Sequence, residues 1–303
     1  MISTRTISIT GFIFTFLGAV LFSTKAIIVK KAFADTPVDA LTLLTLRMIF
    51  SLPFFVGIAI LASNKKENTR LTKRQWIHIG IIGLFGYYIS SLLDFIGLQY
   101  VSAGLERLIL FLYPTFTVLI NAFIFRQRIK PVQKIALALT YAGIAIAYLG
   151  ELRINIHNPD LVLGSFMIFL CSITYSIYIV GSGRIIPTVG PTKFTAFAML
   201  AATTGIFVHF TFAGNYHRLS SGAGIWHYGI LLAIVATVVP ALLISNGMKR
   251  IGSNNVAIIS GIGPVATILQ AHFILGEPIF AAQVAGTSLV IAGVLLIGWQ
   301  RSV

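Results

Sequence analysis

The sequence is poor in charge, and poorest in acidic residues. Charged residues make up 10% of its 303 positions, hydrophobic residues make up 57%, and Asp and Glu together number 8. Soluble globular domains carry about 25% charged residues, because their surfaces face water. A chain of this composition would expose too much apolar surface in water. The sequence therefore excludes an ordinary soluble domain and indicates a protein that lies in lipid.

Further absences narrow the chemistry. The one cysteine, Cys171, excludes an internal disulfide and a cysteine-based metal site, and we interpret it as a small apolar side chain. Neither a GxxxxGK[ST] run for ATP nor an HExxH zinc motif occurs in the sequence. Asp94 is the only aspartate within an apolar stretch, so the paired aspartates of an intramembrane hydrolase are missing too. We therefore expect no enzyme activity, no metal and no cofactor.

What the sequence does contain is a series of ten apolar stretches, most of them near the 20 or so residues with which an α-helix spans a bilayer. The first is not expected to be a cleaved signal peptide, because Lys25, Lys30 and Lys31 follow where small residues would mark a cleavage site. We predict an all-α integral membrane protein with ten transmembrane helices. Their approximate limits are Ser8–Val29, Leu41–Ala62, Ile77–Leu98, Ala103–Ile124, Ile135–Leu149, Leu161–Gly181, Phe194–Phe212, Trp226–Ser245, Asn255–Ile274 and Ile279–Trp299.

The formal charge of +14 is distributed unevenly along the chain. If the N-terminus is cytoplasmic, most Lys and Arg residues fall in inside segments, among them Lys65, Arg74 and Arg128. Short cytoplasmic loops of membrane proteins carry such an excess. The distribution predicts that both termini are cytoplasmic, and that the basic groups contact anionic lipid headgroups rather than nucleic acid.

The chain repeats itself with an offset of 150 residues. Region 95–149 aligns with region 245–299, and the matched pairs include Pro114 with Pro264 and Gly143 with Gly293. We predict two repeats of five helices, at 1–150 and 160–303, separated by a polar segment near 151–159. Because five is an odd number, the second repeat must cross the membrane in the opposite sense to the first. Many secondary transporters are built from such inverted repeats.

Two segments resemble a known family. The stretch GPVATILQAHFILGEPIFAAQVAGTSLVIAGVLLIG begins at Gly263, and its fainter echo YPTFTVLINAFIFRQRIKPVQKIALALTYAGIAIAYLG begins at Tyr113. They resemble the EamA-type carriers of the drug/metabolite transporter superfamily. The resemblance implies an alternating-access exporter of small metabolites in a bacterial cytoplasmic membrane, often with proton exchange. Family repeats usually carry an acidic residue in the turn before the last helix. Glu277 fits this pattern, whereas Gln127 stands at the equivalent place in the first repeat.

Five charged residues fall within predicted helices of the first repeat: Lys25, Arg47, Asp94, Glu106 and Arg107. A charge near the bilayer centre costs roughly 2.5–3.5 kcal/mol even on insertion scales, so these residues are functional candidates. With a rise of ~1.5 Å per residue, all five lie in the outer half of the membrane. The short connection at 99–102 makes the third and fourth helices antiparallel neighbours. We therefore predict an ion pair between Asp94 and Arg107.

If these groups face one wet cavity, positive groups outnumber negative ones by one. The cavity then suits an anionic or zwitterionic substrate such as an amino acid or an organic acid. Arg47 and Arg107 can each hold a carboxylate through two parallel hydrogen bonds, and Lys25 offers a point charge. A desolvated carboxyl group near a like charge keeps a proton more readily. Asp94 and Glu106 are therefore candidates both for substrate binding and for proton coupling.

Other candidates lie further along the chain. His272 is a third candidate for proton coupling, because histidine titrates near neutral pH. Pro114 and Pro264 each remove a helix hydrogen bond and are predicted hinges for alternating access. Tyr113 is assigned to the substrate site. The other tyrosines that are candidates for an aromatic pocket are Tyr87, Tyr88, Tyr175 and Tyr178.

Simpler interpretations remain open. Lys25 can reach the outer headgroups, the pair of Asp94 and Arg107 can be purely structural, and Glu106 can lie at the wet end of its helix. The histidine can bond a neighbouring helix, the tyrosines can form an interfacial belt, and the prolines can be static kinks.

The leading function is a secondary active exporter of carboxylate-bearing metabolites, with amino acids as the first candidates. One alternative is an exporter of lipophilic cationic drugs, which would need an unpaired acidic group in the cavity. A passive metabolite facilitator is another. The expected partners are a small-molecule substrate and membrane lipid. A proton and a second copy of the chain remain open as further partners.

Overall fold

The computed structural model describes residues 9–63, 71–126, 131–154, 159–219 and 223–299, and these ranges fold into α-helices joined by short connections. The all-helical prediction is confirmed. Three π-helical turns, at Leu84–Ile89, Ile234–Val238 and Ala271–Leu275, continue α3 into α4, continue α11 into α12, and extend α13. In chain order the helices are α1 (Ile9–Asp35), α2 (Ala40–Ser63), α3 (Lys73–Gly83), α4 (Ser90–Gly97), α5 (Ala103–Leu110), α6 (Tyr113–Phe125), α7 (Pro131–Ile154), α8 (Leu161–Val189), α9 (Pro191–Ala213), α10 (Tyr216–Leu219), α11 (Ala223–Ala233), α12 (Val239–Ser260), α13 (Gly263–Gln270) and α14 (Ala281–Trp299).

Most of the described residues lie in helices that can span a membrane. Within the described ranges, 8 helical spans are long and apolar enough. Shorter apolar helices at Gly263–Leu275 and Ala281–Gly293 stand where the ninth and tenth spans were predicted. Large apolar side chains cover the outside, with Phe123, Phe212 and Phe273 each at least 80% exposed. Such a surface is suited to acyl chains rather than water, and the protein is a multi-pass membrane protein.

Two boundaries expected from the sequence were wrong. The first helix was expected to end at Val29, but α1 continues to Asp35, so Lys30 lies on the helix and not in an outside loop. The segment at 246–254 was expected to be a connection, but α12 runs through it. There Gly247 packs against α1, and a Cβ atom added to it would lie 2.1 Å from Oγ1 of Thr15. The polar residues of this segment suggested that the helix would end there. Instead α12 continues and packs tightly on α1.

The backbone repeats its irregular features with the offset of 150 residues seen in the sequence. π-helical turns begin at Leu84 and at Ile234. Helices are interrupted immediately before Tyr113 and before Gly263. Because these interruptions cost backbone hydrogen bonds, chance is a poor explanation for their recurrence at matched positions.

Helix packing follows the same two-fold pattern. The equivalent helices α2 and α9 pack together, as do α7 and α14. α1 packs against α12 and α13, and its counterpart α8 packs against α4, α5 and α6. The candidate charged residues lie on α1, α2, α4 and α5, where α1 packs against α5 and α2 packs against α4.

Candidate functional site

A buried triad of charged side chains forms the centre of the site. Nζ of Lys25 lies 2.6 Å from Oδ2 of Asp94 and 3.7 Å from Oε1 of Glu106. The three side chains are 9%, 1% and 0% exposed, in that order. Lys25 therefore does not reach the headgroups, and Glu106 does not lie at a wet helix end. The expected pairing of Asp94 with Arg107 was wrong, because Lys25 occupies the carboxylate of Asp94.

The local fold explains how the two carboxylates meet. α4 ends at Gly97 and α5 begins at Ala103, after a turn whose last residue, Ser102, caps α5 by accepting a hydrogen bond from the N–H of Leu105 at 3.1 Å. Asp94 thus lies in the last turn of α4 and Glu106 in the first turn of α5. A helix N-terminus favours an anion, which partly offsets the cost of burying Glu106.

Arg47 joins the two halves of the molecule beside the triad. Its Nε donates to Oγ1 of Thr237 at 2.9 Å, and its Nη1 donates to Oγ of Ser91 at 3.3 Å. The guanidinium lies 5.8 Å from the ring centroid of Phe95, which follows Asp94 on α4. Arg47 is 4% exposed. Its partners are hydroxyl groups, which a stronger acceptor such as a carboxylate can replace.

Arg107 forms the other flank of the triad. Its guanidinium lies 5.6 Å from the ring centroids of both Phe22 and Phe111, and its Nη2 is 3.5 Å from Oγ of Ser23. A Cβ atom at position 263 would come within 2.7 Å of the same nitrogen, so Gly263 makes room for it. Among the described residues, Nε of Arg107 has no hydrogen-bond partner. Arg107 therefore keeps a buried donor that a ligand can use.

A tyrosine cluster lies next to these charges. The hydroxyl groups of Tyr87 and Tyr178 are 2.8 Å apart. The Tyr175 ring stacks on Tyr178 at 5.6 Å between centroids and meets the edge of Tyr113 at 5.2 Å. Tyr88 points elsewhere, with its hydroxyl group 2.9 Å from Nδ1 of His209. Four of the five candidate tyrosines thus form one aromatic surface.

A cavity of about 140 Å³ lies near Arg47. One of its lining residues directly follows Thr237, the hydrogen-bond partner of Arg47. Val238 lines it, and so does Phe55, which lies two turns from Arg47 along α2. The other lining residues are Ile58, Thr192, Thr195, Ala196, Ala241, Leu242 and Asn246. Arg47 therefore has neighbours on two sides, with Thr237 next to a residue that lines the cavity and Ser91 on the helix that carries Asp94.

The remaining candidates lie outside the triad. His272 is exposed, and its Nδ1 is 2.9 Å from the backbone oxygen of Glu277. Pro114 and Pro264 lie in the first turns of α6 and α13, just after the interruptions at 111–112 and 261–262. Gln127 lies outside the described residues.

Sequence reasoning missed the hydroxyl partners of the two arginines, Ser23, Ser91 and Thr237. One signal could have found Thr237, because the offset of 150 residues makes it the counterpart of Tyr87, and both lie in π-helical turns. The serines carry no such signal, since buried serines commonly bond only to their own helix.

Comparison with known proteins follows the same two halves. The EamA-like transporter family matches residues 9–149 and 162–299. The uncharacterized transporter YcbK of Bacillus subtilis is 30% identical over 287 residues, covering 91% of this chain and 88% of that protein. The aromatic amino acid exporter YddG of Ancylobacter novellus is 27% identical over 290 residues, covering 93% of each. A protein of known crystal structure shares the fold, with a TM-score of 0.66 at 21% identity over 96% of both chains. The chain belongs to the EamA-like transporter family, and it is a transporter rather than an enzyme.

Proposed function

We propose that this transporter exports small carboxylate-bearing metabolites, with amino acids as the first candidates, and that it exchanges them for protons by alternating access. The observation that carries this proposal is the buried triad of Lys25, Asp94 and Glu106 between two arginines. Burying five charged side chains costs free energy, and their presence in spite of that cost favours a functional role. The sequence contains no ATP motif, so the proposed source of energy is a proton gradient.

The proposal includes a topology. Repeats 1–150 and 160–303 cross a bacterial cytoplasmic membrane in opposite senses, with both termini in the cytoplasm. The two-fold packing pattern supports this arrangement, and so does the excess of basic residues in the predicted cytoplasmic loops. On this topology the triad lies nearer the outer side, and the cavity beside Thr192 and Asn246 opens towards the cytoplasm.

The arginines are the carboxylate ligands in this proposal. Lys25 is already held by two carboxylates, so it is poorly placed to bind a third. Arg47 bonds only to hydroxyl groups among its hydrogen-bond partners in the described ranges, and Arg107 keeps Nε unpaired. A substrate that rises from the cavity meets Arg47 first. Its carboxylate can displace Thr237 and Ser91, because a charged acceptor bonds a guanidinium more strongly than a hydroxyl does.

The rest of the substrate would face the triad and the tyrosines. An α-ammonium group can approach the carboxylates of Asp94 and Glu106, and an apolar side chain can pack on the rings of Tyr113 and Tyr175. Flat aromatic side chains suit such a surface best. The function of the related YddG, an aromatic amino acid exporter, supports testing aromatic amino acids first.

The triad is also the proposed site of proton exchange. Two ionised carboxylates share one ammonium group, which leaves one negative charge without a partner inside the triad. One bound proton balances that charge when no substrate is present. His272, exposed at the surface, is then a candidate only for passing protons to or from solvent.

Alternating access requires the repeats to rock against each other. The interruptions before Pro114 and Pro264 are the proposed flexing points, since each already lacks regular helical hydrogen bonds. The interruption before Pro264 adjoins Gly263, which contacts Arg107. Movement at this interruption would therefore shift the position of the Arg107 guanidinium.

Replacement of Arg47 tests the proposed function. In proteoliposomes loaded with unlabelled aromatic amino acid, the wild type should accumulate labelled substrate transiently by counterflow. Arg47→Ala should reduce the initial rate by roughly 10- to 100-fold, as expected for the loss of charged hydrogen bonds. The matched control is Lys31→Ala, which removes an exposed ion pair with Asp35 and should leave the rate unchanged. Equal rates in the wild type and Arg47→Ala would remove the carboxylate site from the proposal.

The same assay separates the proposed carrier from a pore and from a cation exporter. A passive pore would give no transient accumulation. An exporter of lipophilic cations would be indifferent to amino acids and to Arg47. Cation export is also disfavoured because the three basic groups of the site, Lys25, Arg47 and Arg107, outnumber its two carboxylates.

A further inference from the structure

Glu277 caps a helix of the opposite repeat. The backbone N–H of Ala103 donates to both carboxylate oxygens of Glu277, at 3.0 Å to Oε1 and 3.1 Å to Oε2. Ala103 is the first residue of α5, three residues before Glu106. The negative charge thus stands at a helix N-terminus, where it is stabilised by unpaired N–H groups and by the helix dipole.

The loop that carries Glu277 is itself well held. Gly276 adopts a left-handed conformation (φ 71), and the N–H of Glu277 donates to the backbone oxygen of Ala271 at 3.2 Å. The backbone oxygen of Glu277 lies 2.9 Å from Nδ1 of His272. The carboxylate is therefore presented from a fixed point of the second repeat rather than from a free loop.

Lys30 holds the other side of the same turn. Its Nζ donates to the backbone oxygen of Val101 at 2.6 Å and reaches that of Leu98 at 3.4 Å. These carbonyl groups follow the C-terminus of α4, where a positive charge is favoured. The turn between α4 and α5 is thus bonded on one side by the ammonium group of Lys30 from α1 and on the other by the carboxylate of Glu277 from the second repeat.

This turn determines where the two carboxylates of the triad lie. The N–H of Leu98 donates to the backbone oxygen of Asp94 at 2.9 Å, and that of Glu106 donates to the backbone oxygen of Ser102 at 2.9 Å. One helical turn therefore separates each carboxylate residue from the gripped segment. A displacement of the segment moves both carboxylates relative to Lys25.

We propose that Glu277 is a positioning residue for the triad, and that its bond to Ala103 is the contact by which the second repeat closes the site on the outer side. Lys30 completes the grip from the first repeat. The bond must break whenever the outer side opens. The inference rests on the proposed function in taking the triad as the transport site and in taking the topology that puts this turn on the outer side.

A double-substitution experiment isolates this bond. Glu277→Ala removes the acceptor. Ala103→Pro removes the donor at the first helical position, where proline is well tolerated, and the preceding Ser102 has the extended conformation that proline requires (ψ 154). Because both changes delete one interaction, Glu277→Ala with Ala103→Pro should behave as Glu277→Ala alone.

The expected effect is on affinity and pH dependence rather than on folding. In counterflow, Glu277→Ala should change the half-saturating substrate concentration roughly tenfold and shift the pH profile of exchange, with little change in unfolding temperature. Glu277→Gln should recover part of the change, because its amide oxygen can still accept the N–H of Ala103. A purely structural cap would instead lower the unfolding temperature and leave the pH profile alone.

The single cysteine gives an independent readout. Sγ of Cys171 lies 3.4 Å from Oγ of Ser90, on α4 one turn before Asp94, and it is 2% exposed. A membrane-impermeant thiol reagent applied to the outer face should label Cys171 faster in Glu277→Ala than in the wild type, with Cys171→Ser as the blank. Equal labelling, together with unchanged half-saturation and pH profile, would overturn the proposal. If the wild type shows no counterflow, the proposed function fails while the labelling rates still decide this inference.

Discussion

At the scale of single residues, the central feature of the site is that two carboxylates share one ammonium group as their partner. One ammonium group, that of Lys25, lies between two carboxylates with almost no exposure to solvent. Removing one member of a buried ion pair leaves an uncompensated charge, and that loss is typically larger than the net worth of the intact pair. The triad should therefore tolerate paired changes better than single ones.

Lys25→Met tests this coupling. The single change should lower the free energy of unfolding by about 3–5 kcal/mol, because Asp94 and Glu106 then face each other without a cation. Adding Asp94→Asn should recover part of the loss. Thermal unfolding of the purified protein in detergent measures both. Lys31→Met, at a lysine whose side chain is 47% exposed, should stay within about 0.5 kcal/mol of the wild type. A triad that merely fills space would show no recovery in the double variant.

The sequence predicted that the triad residues lie close together, but it did not predict who pairs with whom. Depth follows from position along a helix, so Lys25, Asp94 and Glu106 could be placed at one level. The direction of each side chain around its helix depends on packing against other helices. That packing turns Arg107 towards Ser23 and Gly263, and it could not be derived from hydropathy.

At the scale of helices, glycine contacts set how closely the repeats approach. A Cβ atom on Gly143 would lie 2.5 Å from the backbone oxygen of Gly286, and one on Gly286 would lie 2.4 Å from that of Gly143. α7 and α14 therefore touch backbone to backbone, as helices in lipid often do through small residues. The sequence flagged Gly143 through its match with Gly293, although not this partner.

Gly143→Leu should separate α7 from α14. Overpacking a tight contact typically costs 1–3 kcal/mol, and a larger cost is expected here because the obstacle is backbone that cannot rotate away. The matched control is Gly57→Leu on α2, where an added Cβ atom meets nothing within 4 Å. Fluorescence-detected size exclusion after a heating series should show early loss of the folded peak for Gly143→Leu only. Similar curves for both variants would contradict the contact.

Helix existence followed from the sequence more reliably than helix ends did. Within the described ranges, hydropathy found each of the long apolar helices, because a lipid-facing segment of about 20 residues has few alternatives. It missed the continuation of α1 to Asp35, where Lys30 finds carbonyl partners at 2.6 and 3.4 Å. It also missed the interruption before Tyr113, since hydropathy does not report a break in helical hydrogen bonding inside an apolar stretch.

At the scale of the whole molecule, a two-fold scaffold carries a one-sided site. α2 with α9 and α7 with α14 pair across the repeats, yet the triad and both arginines belong to the first repeat. The second repeat contributes Thr237 to Arg47 and Glu277 to α5. On the proposed mechanism, one half holds the charges and the other half moves against them.

The pH dependence of exchange in Glu106→Gln tests the central claim most directly, because an amide resembles a protonated carboxyl group but cannot release a proton. Wild-type counterflow should vary with pH, and an acidic outside should drive net export. Glu106→Gln should keep substrate exchange while losing both the pH dependence and the proton-driven net export. If Glu106→Gln and Asp94→Asn both keep the wild-type pH profile and proton-driven export, the triad does not exchange protons for substrate, and the account is wrong.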